Sequence, residues 1–171
     1  MIWMITGGAR SGKSNYAQQI AKHETENPCY LATAKHWDDD FTQRIKNHQS
    51  NRDNTWQNIE EQLYIGELQI NNQVVVIDCV TLWLSNVFVK FNQEIEPSLA
   101  FAKNEIDQLT QVDKLYIVIT NEIGMGVHAE TSIGRKFTDL QGWVNQYLAN
   151  KSQKVTLMVS GIPMEIKSEL N

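Results

Sequence analysis

Eight residues near the amino terminus carry the clearest chemical signal in the sequence. They are mostly small and run Gly7-Gly8-Ala9-Arg10-Ser11-Gly12-Lys13-Ser14. A loop with so few side chains lets successive backbone N–H groups close around a phosphate, and a following helix adds the partial positive charge of its N-terminus. In this pattern the lysine can bridge the β- and γ-phosphates, and the last hydroxyl can ligate Mg²⁺. The spacing therefore predicts a P-loop that binds a nucleoside triphosphate.

A P-loop needs a second carboxylate for Mg²⁺, usually at the end of a different buried strand. Asp78 meets this requirement because it follows the apolar run Val74 to Ile77. Asp78 could also cap a helix that begins near Thr81, and the two roles are compatible. We predict that Ser14 and Asp78 together hold Mg²⁺.

Another acidic residue follows a different apolar run. Asn121-Glu122 come directly after Leu115 to Thr120, at the carboxyl edge of the sheet, where ligands bind in open α/β folds. Position alone does not separate a plain loop carboxylate from a site residue, so both interpretations of Glu122 stay open.

A histidine between two arginines forms a further candidate group. If a helix begins at the acidic run Asp38-Asp39-Asp40 and continues, Arg44, His48 and Arg52 share one face at intervals of four residues. Two guanidinium groups disfavour the protonated imidazole, which leaves a neutral nucleophile, and they can bind phosphate oxygens. A surface histidine among basic residues is the commoner explanation of such spacing, so the pattern alone leaves both open.

The elements that must position these residues alternate along the chain. Five short, continuously apolar runs are typical of strands buried on both faces: Ile2 to Ile5, Cys29 to Ala32, Val74 to Ile77, Leu115 to Ile119 and Val155 to Val159. Segments with apolar residues at intervals of three or four lie between them, as in amphipathic helices. Strands alternating with helices predict an α/β fold, with a mostly parallel sheet and helices on both faces.

No repeat, low-complexity tract or linker divides the chain, and 171 residues suit one core. We therefore predict a single domain over residues 1–171. The polar, poorly periodic stretch Gln49 to Gln73 is interpreted as surface loops and a short helix.

Composition limits the kind of partner. A formal charge of −5 argues against a nucleic-acid groove or an anionic membrane surface, because both need an excess of basic residues on one face. Cys29 and Cys79 stand far apart and suggest neither a zinc site nor a disulfide framework. We find no secretory leader and no run of about 18 apolar residues, so we expect a cytoplasmic protein without a membrane anchor.

Seven segments, in order, resemble the bifunctional adenosylcobinamide kinases and adenosylcobinamide-phosphate guanylyltransferases of cobalamin biosynthesis. Only the P-loop is distinctive alone, but the shared order spans nearly the whole chain. The segments are Thr6 to Ser14, Tyr30 to Ala34, Arg44-Ile45-x-x-His48, Trp56 to Glu60, Asp78 to Asn86, Thr120 to Gly126 and Val159 to Pro163.

The resemblance implies a RecA-like P-loop fold, usually assembled as a homotrimer, and two reactions. The first phosphorylates adenosylcobinamide with ATP or GTP, and the second transfers GMP from GTP to adenosylcobinamide phosphate through a guanylyl-histidine. His48 occupies the position of that histidine. The positions at which the family contacts guanine nucleotide correspond to Ala32, Thr33, Ala34, Gln49, Ser50, Asn51, Arg52, Glu60 and Asp78.

Two rival functions remain. A P-loop kinase of another small hydroxyl substrate would use Lys13 and Ser14 but form no covalent intermediate. A GTP-binding regulatory module would act through switch loops, but the sequence has no Asn-Lys-x-Asp segment to read guanine. Its nearest candidate, Thr120-Asn121-Glu122, has neither the lysine nor the aspartate.

Overall fold

The computed structural model describes residues 1–34 and 53–169. These ranges form seven strands, four α-helices and one 3₁₀ turn. The strands are β1 (Ile2–Gly7), β2 (Cys29–Ala32), β3 (Gln57–Glu60), β4 (Val74–Asp78), β5 (Leu115–Ile119), β6 (Lys154–Val159) and β7 (Ile162–Ser168). The helices are α1 (Lys13–Glu24), α2 (Val80–Lys90), α3 (Ile95–Thr110) and α4 (Ser132–Lys151), and the 3₁₀ turn is Ile123–Met125.

The strands form one sheet in the order β3-β2-β4-β5-β1-β6-β7. All neighbouring pairs are parallel except β6 and β7, which are antiparallel. The carboxyl ends of β4, β5 and β1 therefore lie side by side at one edge of the sheet. This edge collects the residues that follow each strand.

Alternate residues of the central strands pack on opposite faces of the sheet. Ile5 and Val76 pack with Ala17 and Ile20 of α1 on one face, whereas apolar residues of α2, α3 and α4 pack on the other. Both faces of β1, β4 and β5 are covered, which explains why these strands are continuously apolar in sequence.

The predicted α/β class is confirmed, and each of the five predicted strands is present with its ends shifted by at most two residues. The interpretation of Gln49 to Gln73 was wrong in part, because β3 lies within it. Strand β7 was not predicted. Both missed strands are edge strands whose residues are mostly exposed, so they show no buried apolar run.

Among the residues that the structure describes, no helix is both long enough and apolar enough to cross a membrane.

Candidate active site

The predicted P-loop connects the end of β1 to the start of α1. Its backbone enters the left-handed region at Gly7 (φ 148°), Arg10 (φ 57°) and Gly12 (φ 95°), and Gly12 caps the helix. Gly161, in the turn between β6 and β7, donates its N–H to the carbonyl of Ser11 at 3.0 Å. The loop is thus held open at the N-terminus of α1, where backbone N–H groups and the helix dipole favour an anion.

Lys13 lies inside this loop, with only 7% of its surface exposed. Its ammonium donates to the carbonyl oxygens of Gly7 (3.1 Å) and Gly8 (2.6 Å) and, at 3.4 Å, to the hydroxyl of Ser11. Burial lowers the pKa of Lys13, an effect opposed by the negative charge of Asp78. The ammonium of Lys13 therefore lies where phosphate oxygens could replace the carbonyls of Gly7 and Gly8 as its hydrogen-bond acceptors.

Asp78, at the end of β4, faces the first turn of α1. Its Oδ2 accepts hydrogen bonds from the hydroxyl of Ser14 at 2.8 Å and from the phenol of Tyr30 at 2.5 Å. A hydroxyl and a carboxylate are the hard oxygen donors that Mg²⁺ prefers, usually together with waters and substrate phosphates. The pair predicted from sequence is adjacent, and its donor chemistry fits Mg²⁺.

A cavity of about 620 Å³ opens in front of these groups, within the usual size range of small-molecule sites. Residues 9–15 of the loop and helix line one side of it. The other side is lined by residues from the ends of β4 and β5, namely Asp78, Cys79, Ile119 and Asn121.

Glu122, which the sequence left open, lies beside the loop. Its backbone N–H donates to the carbonyl of Gly7 at 3.2 Å. Its Oε1 accepts from the hydroxyl of Thr6 at 2.6 Å and from the amide of Asn145 on α4 at 3.1 Å. The structure therefore anchors this half-buried carboxylate between β1, β5 and α4.

Buried polar side chains support that anchor. The Oδ1 of Asn145 accepts from the hydroxyl of Thr120 at 2.7 Å and from the amide of Gln141 at 2.9 Å. Sequence reasoning did not identify Thr6, Asn145 or Tyr30. A signal existed for Gln141 and Asn145, since they are polar residues four apart on the otherwise apolar face of the helix, marked by Leu140, Val144 and Leu148.

Four other predicted nucleotide-binding positions lie near the ends of β2 and β3, and one of them is the half-buried Ala34. Ala32 is paired with Asp78 on one side and with Glu60 on the other, and Glu60 is exposed. Thr33 is fully buried and donates its hydroxyl to the carbonyl of Cys79 at 2.8 Å. The side chain of Thr33 thus links the segment after β2 to the segment after β4, whereas Glu60 is open to solvent.

The remaining predicted residues lie outside the described ranges. They are Arg44, His48, Gln49, Ser50, Asn51 and Arg52, together with the helix expected around them.

Comparison with known proteins gives a consistent result. Residues 3–166 match the family model described as "Cobinamide kinase / cobinamide phosphate guanyltransferase". A protein of Escherichia coli (strain K12) named "Bifunctional adenosylcobalamin biosynthesis protein CobU" is 35% identical, covering 98% of this chain and 100% of that protein. A Pseudomonas aeruginosa protein named "Bifunctional adenosylcobalamin biosynthesis protein CobP" is 31% identical, covering 97% of each. The chain therefore belongs to the cobinamide kinase / cobinamide phosphate guanyltransferase family.

Proposed function

We propose that this protein phosphorylates the aminopropanol hydroxyl of adenosylcobinamide with ATP or GTP, and then transfers GMP from GTP onto the new phosphate to give adenosylcobinamide-GDP. Membership of the family and the names of two bifunctional relatives support both activities. The observation that carries the proposal is the phosphate loop, in which buried Lys13 and the Ser14–Asp78 pair face one cavity.

The kinase reaction uses the loop to hold the triphosphate. Backbone N–H groups of residues 8–14 and the ammonium of Lys13 surround the β- and γ-phosphates, and exposed Arg10 adds a second positive charge at the rim. Phosphoryl transfer depends mainly on positioning and on neutralising charge. The preformed loop supplies both.

The guanylyltransferase reaction takes place at the α-phosphorus of GTP. The imidazole of His48, which the sequence flanks with Arg44 and Arg52, attacks this phosphorus, so that an N–P bond forms and pyrophosphate leaves. The phosphate of adenosylcobinamide phosphate then attacks the same phosphorus, which breaks the N–P bond and frees the imidazole. Lys13 and the two arginines stabilise the phosphate charges.

Ser14 and Asp78 would hold Mg²⁺ on the nucleotide. The ion supplies neutralisation of the charge that develops on the phosphate oxygens. Tyr30 holds the Asp78 carboxylate towards Ser14 through its hydrogen bond to Oδ2.

Further parts of the proposal come from the family resemblance. We expect guanine nucleotide to contact Ala32 to Ala34, Gln49 to Arg52, Glu60 and Asp78. The single domain and the cytoplasmic location are expected from the sequence itself instead. We also expect a homotrimer, and sedimentation equilibrium at the monomer mass would contradict it.

The covalent intermediate offers the sharpest test. The protein is incubated with Mg²⁺ and GTP labelled at the α-phosphate, denatured, and assayed for bound label that is lost in acid and kept in alkali, as a phosphoramidate requires. We expect labelling of the wild type and none in His48→Asn or Lys13→Ala. His23→Asn is a matched control, since that side chain is exposed on α1, and it should label normally.

The outcome separates the rival functions. Wild-type protein that stays unlabelled would refute the guanylyltransferase assignment. A kinase of another small hydroxyl compound would leave the label off the protein and phosphorylate that compound instead of adenosylcobinamide. A GTP-binding regulatory module would bind GTP without either transfer.

A further inference from the structure

We propose that Glu122 is the general base of the kinase reaction, accepting the proton of the substrate hydroxyl as it attacks the γ-phosphorus. The inference rests on the proposed kinase activity. It starts from the way Thr6 and Asn145 hold this carboxylate beside the phosphate loop.

Within the described residues, only one oxygen of the Glu122 carboxylate accepts hydrogen bonds. Oε1 accepts from Thr6 at 2.6 Å and from Asn145 at 3.1 Å, and both donors are buried. Among residues 1–34 and 53–169, no group donates a hydrogen bond to Oε2. The carboxylate is thus fixed through one oxygen and offers the other as an acceptor.

Glu122 is also close to the group that binds the transferred phosphate. The carbonyl oxygen of Gly7 accepts from both the Glu122 backbone N–H (3.2 Å) and the Lys13 ammonium (3.1 Å). The preceding residue, Asn121, lines the cavity in front of the loop. The backbone of Glu122 therefore lies beside the loop that would hold the γ-phosphate, and we infer that the attacking hydroxyl comes within reach of its carboxylate.

Asp78, the acid at the end of the neighbouring strand β4, already has partners. Oδ2 of Asp78 accepts from Ser14 and Tyr30, and Asp78 belongs to the proposed Mg²⁺ site. Asp78 ends β4 and Glu122 comes three residues after the neighbouring strand β5, so the proposed metal-binding acid and proton-accepting acid lie at the ends of adjacent strands.

In the proposed step, the phosphoryl group passes from the nucleotide to the substrate hydroxyl, and the proton of that hydroxyl passes to Glu122. The hydroxyl oxygen of adenosylcobinamide forms a bond to the γ-phosphorus, while the bond from that phosphorus to the β,γ-bridging oxygen breaks. The electron pair of the broken bond stays on the β-phosphate of the departing nucleoside diphosphate. The hydroxyl proton passes to Oε2 of Glu122 and later to water.

Glu122→Gln tests this role with little change in shape, because the amide oxygen can still accept from Thr6 and Asn145 while the amide nitrogen replaces Oε2. We expect kcat of the kinase to fall by about 100-fold or more. The nucleotide KM and the rate of GMP transfer to supplied adenosylcobinamide phosphate should stay within about 3-fold, since Lys13 and Ser14 are untouched. Glu26→Gln, the same change at an exposed residue between α1 and β2, should leave both reactions unchanged.

Chemical rescue separates a base from a merely structural acid. In Glu122→Ala, added formate should restore kinase activity in proportion to its concentration.

Several results would overturn the inference: a kinase kcat in Glu122→Gln within about 3-fold of wild type, an equal loss of both reactions, or no rescue by formate. Failure of Glu122→Gln to fold would likewise assign the carboxylate a structural role. Wild-type protein unable to phosphorylate adenosylcobinamide would instead remove the proposed kinase activity itself, which distinguishes the two failures.

Discussion

Replacing Gly7 with alanine should damage the phosphate loop through the backbone alone. Gly7 has φ 148°, and a Cβ there would lie 2.5 Å from the carbonyl oxygen of Met158 and 2.9 Å from Oγ of Ser11. Gly7 and Met158 are paired in the β1–β6 ladder, so relief requires two hydrogen-bonded strands to separate. The strained φ costs about 1–3 kcal/mol, and overpacking costs about 1–3 kcal/mol more.

The resulting loss, roughly 2–6 kcal/mol, is a large part of the 5–15 kcal/mol that stabilises a typical domain. Urea unfolding measures the free energy, and titration with a fluorescent GTP analogue measures nucleotide binding, which should weaken as the loop distorts. Gly8→Ala is the matched control, because its φ is not left-handed and its Cβ meets no atom within 4 Å. Its unfolding free energy should change by less than about 0.5 kcal/mol. A Gly7→Ala variant as stable as the wild type would refute the reasoning.

Two further predictions concern carboxylates. Asp78→Asn keeps an acceptor for Ser14 but removes the charge, so the Mg²⁺ concentration for half-maximal activity should rise by about 10-fold or more in both reactions; an unchanged Mg²⁺ titration would exclude Asp78 from the metal site. Burial raises the pKa of Glu105, against the hydrogen bond from the Gly66 N–H and with help from nearby Glu67. The neutral Glu105 carboxyl therefore stabilises the fold in full below the pKa that it has in the unfolded chain. This stabilisation is lost as the pH rises through the higher pKa of the folded state. Glu105→Gln should flatten that decline in urea unfolding as the pH rises above the pKa of an unfolded-state glutamate, whereas curves parallel to those of the wild type would contradict the assignment.

The strands that position the site could be predicted because both of their faces are buried. Val74 to Ile77 and Leu115 to Ile119 lie at the centre of the sheet, where every residue of the strand meets a helix layer. Such apolar runs can be recognised as strands in the sequence without knowing which strands lie beside them. Strand β3 (Gln57–Glu60) lies at the edge, its residues are mostly exposed, and its pairing with β2 is decided by contacts that no local pattern reports.

The residues of the site also differ in how well the sequence predicts them. The P-loop could be read from spacing, because its function depends on consecutive residues. Asp78 could be located as an acid ending a buried strand, but its partner Tyr30 is 48 residues away and reaches it only because β2 and β4 are neighbours. The interactions of Thr6 and Asn145 with Glu122 span 116 and 23 residues, so only the folded chain shows that this acid is held in place.

The different partners of the two acids explain how one loop could support distinct roles for them. One oxygen of Asp78 accepts from two hydroxyl groups, and one of these, that of Ser14, would share a metal ion with Asp78. Glu122 receives a hydroxyl from buried Thr6 on β1 and an amide from buried Asn145 on α4, and it keeps an oxygen free of protein donors within the described ranges. A metal ligand must stay charged and close to the phosphates, whereas a base must present an open acceptor to the incoming hydroxyl. The order of strands β4, β5 and β1 places these two acids and the loop next to one another, so the same bound triphosphate meets a metal-binding group and a proton acceptor at once.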